Sequence, residues 1–428
     1  MQTIPSSAVR LLSGPPLEHG AESFVAHEDR LGARPRGSAE LIGVLKASGL
    51  TGRGGGGFPT WRKWAVVAER ARGRAMLVVN GSEGEPASRK DQTLLRYRPH
   101  LVLDGIQLAA EAIGAREGII YLSRSFDEQR RALEHAMAER RDADADSVGV
   151  TVVSCPHRYV AGEASAVVNG INTGIAKPIA VPPRPFERGV DHRPTLVQNT
   201  ETIAHAALIS RFGASWFRSA GTEASPGTAL ITVSGAVVDP GVYEIPLGIT
   251  VEQAVACAGG TTEAPQAILL GGYFGTWLSA ACIGTLHLDR QELQTAETSF
   301  GCGVISVLPR SRCGLVEASH VLTYLAAESA GQCGPCVFGL RSVASTMTRI
   351  AQGVGRPTDH ALLQRWEKEI RGRGECHHPD GALRHLQSAL TTFATDVESH
   401  LAGAPCAGAQ WRSPMLPVSP AAPDGWAG

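Results

Sequence analysis

Gly52-Arg53-Gly54-Gly55-Gly56-Gly57-Phe58-Pro59-Thr60 sets five glycines around one arginine, directly before a candidate helix start. Without Cβ atoms, successive backbone N–H groups can approach a bound anion, and the positive end of a helix dipole favours phosphate there. Arg53 and Lys63 add positive charge. No Gly-Lys-Ser/Thr closes the run, so it is not a Walker A loop. It precedes the first clear strand, so it is not the dinucleotide signature, which follows one. Its composition also fits a flexible linker, although the Phe-Pro-Thr that follows argues against a pure one.

Downstream, Ala75-Met76-Leu77-Val78-Val79 reads as a buried strand, 101–113 as a helix and Gly118-Ile119-Ile120-Tyr121-Leu122 as a second strand. A charged amphipathic helix over 126–140 and a strand over 148–153 follow. This alternation predicts an α/β domain over 39–225, a mostly parallel sheet covered by helices. It stands behind a lead-in (1–38), rich in Pro, Gly and charge, that reads as surface-wrapping or mobile. Leu230-Ile231-Thr232-Val233-Ser234 and Val242-Tyr243-Glu244-Ile245 flank the turn Asp239-Pro240-Gly241. With a helix over 250–257 and the strand Ala267-Ile268-Leu269-Leu270, they predict a small α+β unit over 226–300, a β-grasp. Helical spacing over 316–327, 338–350, 361–370 and 382–400 predicts a helical bundle over 301–402. The Ala/Pro/Gly-rich stretch 403–428 reads as a disordered tail.

The 428 residues are 43% hydrophobic and 19% charged, with a net charge of −1. That balance excludes an intrinsically disordered chain, and it lacks the basic surplus of a nucleic-acid binder. No apolar run is long enough to span a membrane as a helix, and no secretory signal opens the chain, so a cytoplasmic location is expected. Nine cysteines without such a signal do not suggest a disulfide scaffold.

Three more segments fall at strand or helix ends. Asn80-Gly81-Ser82-Glu83-Gly84-Glu85-Pro86 follows the first strand, where ligands of α/β sheets bind, and its two carboxylates can reach ribityl or ribose hydroxyls. Tyr159-Val160-Ala161-Gly162-Glu163-Ala164 puts an aromatic and an acid after the third strand. Gln198-Asn199-Thr200-Glu201-Thr202 opens a helix with capping residues.

Together with the glycine loop, these segments closely resemble the NADH-oxidising flavoprotein subunit of respiratory complex I and its relatives in NAD-reducing hydrogenases and formate dehydrogenases. The resemblance runs from about residue 40 to residue 400 and implies an FMN-binding α/β domain, a soluble-ligand-binding β-grasp domain and a helical iron–sulfur domain. It implies that Gly52, Arg53, Gly54, Gly55 and Lys63 contact the FMN phosphate or ring. Asn80, Glu83, Gly162, Glu163 and Asn199 would line the rest of the flavin, and Phe58, Glu85 and Tyr159 would face the nicotinamide nucleotide. A hydride would pass from NADH or NADPH to FMN, and electrons would leave singly through an iron–sulfur cluster to a separate ferredoxin-like or other redox subunit.

The sequence departs from the family where the nucleotide would sit. Ser82 stands in place of an Asp, Ala161 of a Cys and Ala164 of a second Glu. Val181 replaces a Lys, and Arg184 an aromatic. A non-catalytic paralogue with a decayed nucleotide site is therefore the alternative reading. In Glu328-Ser329-Ala330-Gly331-Gln332-Cys333-Gly334-Pro335-Cys336, Ala330 takes the place of the family's first cluster cysteine. Cys333, Cys336 and the distant Cys376 match the other three. A [4Fe–4S] cluster or an incomplete variant is implied. The residues alone leave open a zinc site, a redox disulfide or no metal. Ser329, His377, His378, Cys313 and Cys302 are candidate fourth ligands.

Overall fold

Residues 75–79 of β1 (Ala75–Gly81) are an unbroken apolar run because both faces of the strand are buried there. Ala75, Leu77 and Val79 enter one core, Met76 and Val78 another. In the computed structural model, which describes residues 9–410, 413–418 and 425–426, β1 pairs in parallel with β2 (Ala115–Ser123) and β4 (Thr195–Asn199). β3 (Gly149–Cys155) completes the all-parallel order β3-β2-β1-β4. Strand order reverses between β1 and β4, which opens a crevice at their carboxyl ends. Asn80 and Asn199 are register partners there.

Among the described residues, eight helices belong to this layer: α1 (Phe24–Leu31), α2 (Glu40–Ser48), α3 (Thr60–Ala71), α4 (Lys90–Tyr97), α5 (Pro99–Ile113), α6 (Asp127–Asp142), α7 (Ala164–Thr173) and α8 (Thr200–Arg218). α5 and α8 cross closely at Gly105, where a Cβ would stand 2.3 Å from the Ile203 carbonyl oxygen. From residue 9 onward the lead-in is packed, which fits the surface-wrapping alternative and not the mobile one. Leu11 is fully buried, the Arg10 guanidinium donates to the Phe217 carbonyl, and Ser23 caps α1. These partners come from distant elements, so local composition did not reveal them.

The second sheet runs β6 (Gly241–Pro246), β5 (Thr228–Gly235), β9 (Val304–Pro309), β7 (Pro265–Leu270) and β8 (Thr276–Ser279). α9 (Val251–Cys257) packs on one face and α10 (Arg290–Thr295) lies beside it. The central strand β9 lies past residue 300, so the unit extends beyond the expected boundary. It is recruited because it is apolar on both faces: Ile305 and Val307 join the α9 core, Val304 and Leu308 the helical-domain core.

The helical part comprises α11 (Gly314–Ala327), α12 (Leu340–Ala351), α13 (Asp359–Ile370), α14 (His378–Thr392) and α15 (Ala394–Leu401). The helix expected over 382–400 is split at Phe393, whose ring is buried against Gly314. The segment expected as a disordered tail is ordered over its described residues. Leu416 is buried in the helical core, and Glu317 accepts from the Met415 and Leu416 amides. Residues 1–8, 411–412, 419–424 and 427–428 lie outside the described residues.

Candidate flavin and iron–sulfur site

The crevice between β1 and β4 opens into a cavity of about 450 Å³. Gly54, Gly55, Asn80, Glu83, Glu85, Tyr159, Gly162, Glu163 and Asn199 line it, so nine of the sequence-predicted residues meet at one place. Cys376, His377 and His378 line the same cavity.

Asn80 joins two of the predicted segments. Its Nδ2 donates to the Gly162 carbonyl at 2.8 Å, and its Oδ1 accepts from the Ser82 amide (3.2 Å) and hydroxyl (2.7 Å). Glu83 and Glu163 bind helix starts. Glu83 accepts from the Asp91 and Gln92 amides at the start of α4, and Glu163 from the Ser165 and Ala166 amides of α7. Each satisfies orphan N–H groups with a carboxylate at the positive end of a helix dipole. Gly54 is pressed against Asn199, where a Cβ would stand 3.1 Å from the Asn199 Cβ. A Cβ on Gly162 would stand 2.5 Å from the Ser82 Oγ.

The base of the glycine loop is tied, unlike a linker. The Gly52 amide donates to the Phe58 carbonyl at 2.8 Å, and the Thr60 amide to the Leu50 carbonyl at 3.0 Å. Four of the residues predicted to contact flavin or nucleotide lie outside the cavity lining. Gly52 and Arg53 line a separate hollow with Arg290 and Phe300. The Phe58 ring is 49% exposed. Lys63 donates to the Val197 carbonyl at 3.2 Å. Burial lowers the Lys63 pKa, and Glu163 partly counters that.

The Arg53 guanidinium turns inward, donating to the Thr228 carbonyl and standing 4.0 Å from Glu201. Glu201 is fully buried and also pairs with Lys90 at 3.0 Å. Burial opposes its charge, but Lys90, His205 and Arg53 outweigh that and hold its pKa down at about 2. Arg53→Ala is therefore expected to destabilise the fold by on the order of 3 kcal/mol, the usual scale when one partner of a buried ion pair is removed. Denaturant unfolding of the flavin-free protein checks this. Unchanged stability with lost FMN affinity would instead give Arg53 the phosphate role.

Sequence reasoning missed Lys90, and it offered Cys302 only as a candidate cluster ligand. Lys90 is buried in the cavity wall between Asp91 and Glu201, whose charges outweigh desolvation and raise its pKa. Its signal was its rarity, as one of five lysines among 40 basic residues. Cys302 reaches the cavity from the loop before β9 and bonds to the Gly271 carbonyl.

Glu85 accepts from the Tyr159 hydroxyl (2.9 Å) and the Tyr273 amide (2.8 Å), so three distant segments meet on one carboxylate. Burial lifts its pKa to about 7 against the pull of those hydrogen bonds. Tyr159 in turn packs edge-on to Phe274 and His378, with ring centroids 4.7 and 5.7 Å away.

Cys333 and Cys336 flank the start of a π-helical turn, Pro335–Gly339, ahead of α12. Burial pushes the Cys336 thiol up to about 12, with Cys333 and Cys376 adding to the rise as neighbours. Glu328, at the end of α11, accepts from the Tyr159 amide and pairs with Arg158, tying the cysteine loop to the cavity wall. Ala330 is 6% exposed. Of the candidate fourth ligands, Cys302 lies in the cavity, Cys313 faces His400, and His378 Nε2 bonds to the Leu325 carbonyl.

The Nuo51 FMN-binding domain family matches residues 45–207, the SLBB domain family 230–272, and the NADH-ubiquinone oxidoreductase-F iron–sulfur binding region 316–400. The chain is 32% identical to the F 2 subunit of the NADH-quinone oxidoreductase of Rhizobium meliloti, over 85% of this chain and 89% of the relative. It is 27% identical to the HndC subunit of the NADP-reducing hydrogenase of Solidesulfovibrio fructosivorans, over 86% and 77%. Among solved structures it resembles the NAD+-reducing [NiFe]-hydrogenase in its H2-reduced state, with a TM-score of 0.76 and 30% identity. That match covers 84% of this chain and 62% of the hydrogenase chain. The chain belongs to the NuoF-like family of complex I flavoprotein subunits, with an FMN-binding domain, an SLBB domain and an iron–sulfur-binding region.

Proposed function

We propose that this chain oxidises a reduced nicotinamide nucleotide on FMN held in the β1/β4 cavity. The electrons pass through an iron–sulfur centre on Cys333, Cys336 and Cys376 to a separate ferredoxin-like or other redox subunit in the cytoplasm. One observation carries this reading: Cys376 lines the same cavity as the glycine loop and the acidic turn. Among the described residues no helix is long and apolar enough to cross a membrane.

The residues fit the flavin. At cavity-lining Gly56 a Cβ would meet nothing within 4 Å, so bare backbone there leaves open space that a flat ring can occupy. Three thiols fit the cluster, and Ala330 leaves one corner without a protein thiolate. When bound, FMN accepts a hydride and releases electrons one at a time. The protein's own part is positional. Asn80 and Asn199 shape the crevice floor, Tyr159 and Glu85 orient the nucleotide, and the wall around Phe274 excludes water. Anaerobic addition of NADH to the FMN-loaded chain should bleach the flavin absorbance. No bleaching would leave the non-catalytic reading.

NADPH is expected to reduce the flavin as well. Ala164 removes a carboxylate that would repel a 2′-phosphate, and Arg184 is exposed and offers a bidentate cation. Ala164→Glu should shift the preference towards NADH by about one to two orders of magnitude. Separate stopped-flow runs with each nucleotide check this, and an NADPH rate of zero in the parent chain would overturn it.

A further inference from the structure

Cys313, His400 and Cys406 each bring a ligand atom to within 4.8 Å of the others, and none of them is one of the proposed cluster ligands Cys333, Cys336 and Cys376. Cys313 precedes α11, His400 lies in α15, and Cys406 follows α15. We propose that these three residues form a second metal site, for a zinc-class divalent cation, that clips the C-terminal segment to the helical domain.

His400 is fully buried and already oriented as a ligand. Its Nδ1 stands 3.1 Å from the Ile350 and Ala351 carbonyls, which only accept, so Nδ1 carries the proton and Nε2 offers its lone pair. A carbonyl behind Nδ1 is the usual support of a metal-bound histidine. Nε2 lies 3.8 Å from the Cys313 Sγ. Tetrahedral zinc, with bonds of about 2.3 Å to sulfur and about 2.0 Å to nitrogen, sets those atoms about 3.5 Å apart.

Nε2 now accepts from the Cys406 amide at 3.0 Å, and metal entry exchanges that bond for coordination. The divalent ion displaces one proton from each thiol, so the site stays neutral in a buried place. Cys406 is only partly buried, which leaves an entry path and a solvent-facing fourth position.

The clip has structural work to do. The chain runs from Cys406 to Met415 and Leu416, held by Glu317, and the Pro417 carbonyl accepts from the Tyr273 hydroxyl at 2.6 Å. The Tyr273 amide in turn holds Glu85. Fixing Cys406 therefore secures the segment behind a cavity-wall residue.

The test uses the full FMN-loaded chain in a Cys333→Ser/Cys376→Ser background, so that the other thiols do not compete. Titrating the reduced, metal-free protein with Zn2+ alone should give one equivalent bound per chain. Co2+ should give thiolate-to-cobalt absorption. Cys313→Ser and Cys406→Ser should each abolish both signals. Cys406→His, at a partly exposed loop position, should retain the metal with altered cobalt bands and unchanged flavin content. No stoichiometric binding would overturn the proposal, as would binding that survives both serine changes. A Cys313–Cys406 disulfide in freshly isolated anaerobic protein would also overturn it, in favour of a redox pair.

Discussion

Ala330→Cys is expected to raise the iron bound after anaerobic reconstitution from about three to about four atoms per chain, and Cys376→Ser to reduce it to background. A cubane cluster takes four thiolates, and the proposed site supplies three, Cys333, Cys336 and Cys376. Ala330 sits where the fourth would come, between Ser329 and Gly331, and Gly331 turns the loop with a positive φ of 67°. With three thiolates one iron is left open to exchange, so the native centre should lose iron readily. The added thiol closes that corner. Iron and sulfide analysis with EPR reads both changes. Equal iron in the parent and in Ala330→Cys would mean that another residue already fills the position. Cys376→Ser should leave flavin reduction by NADH in place while electron delivery to a one-electron acceptor falls, because the proposed electron path leaves by Cys376, which lines the cavity.

Nicotinamide-nucleotide affinity should rise about tenfold between pH 6 and pH 8, and Glu85→Gln should flatten the profile. Burial lifts the Glu85 carboxyl from 4.5 to about 7, against hydrogen bonds from the Tyr273 and Ala87 amides and the Tyr159 hydroxyl, with Glu83 adding repulsion. The group is mostly neutral at pH 6 and mostly charged at pH 8. A charged carboxylate is the stronger acceptor for amide or hydroxyl donors of the nucleotide, so binding follows its ionisation. The stability sign is opposite. The folded state holds this proton more tightly than the unfolded chain, so the free protein loses stability as pH rises from about 4.5 to about 7. Fluorescence titration with NAD+ across this range, in the parent and in Glu85→Gln, is the check. A flat profile in the parent would remove Glu85 from the nucleotide site.

The local pattern of residues was enough for β1, β2, β3, α5 and α6, and for the floor of the cavity. β1 and the acidic turn after it are contiguous, and a strand followed by Asn-Gly-Ser-Glu-Gly-Glu leaves the chain few other ways to run. The glycine loop and the start of α8 were legible for the same reason, since caps and turns depend on neighbours a few residues away. Side-chain direction is a different matter. Arg53 turns inward because Glu201 and Thr228 lie there, and Glu83 and Glu163 are spent on helix starts. Lys90 and Cys302 enter the cavity wall from segments with no motif of their own. β9 joins the second sheet, and the Cys406 segment returns to His400, through contacts that close only when distant elements pack. Spacing along the chain specifies which backbone turns form. Which charges end up paired, and which thiols face one another, is decided by burial, because a desolvated polar group must take whatever partner the tertiary structure brings to it.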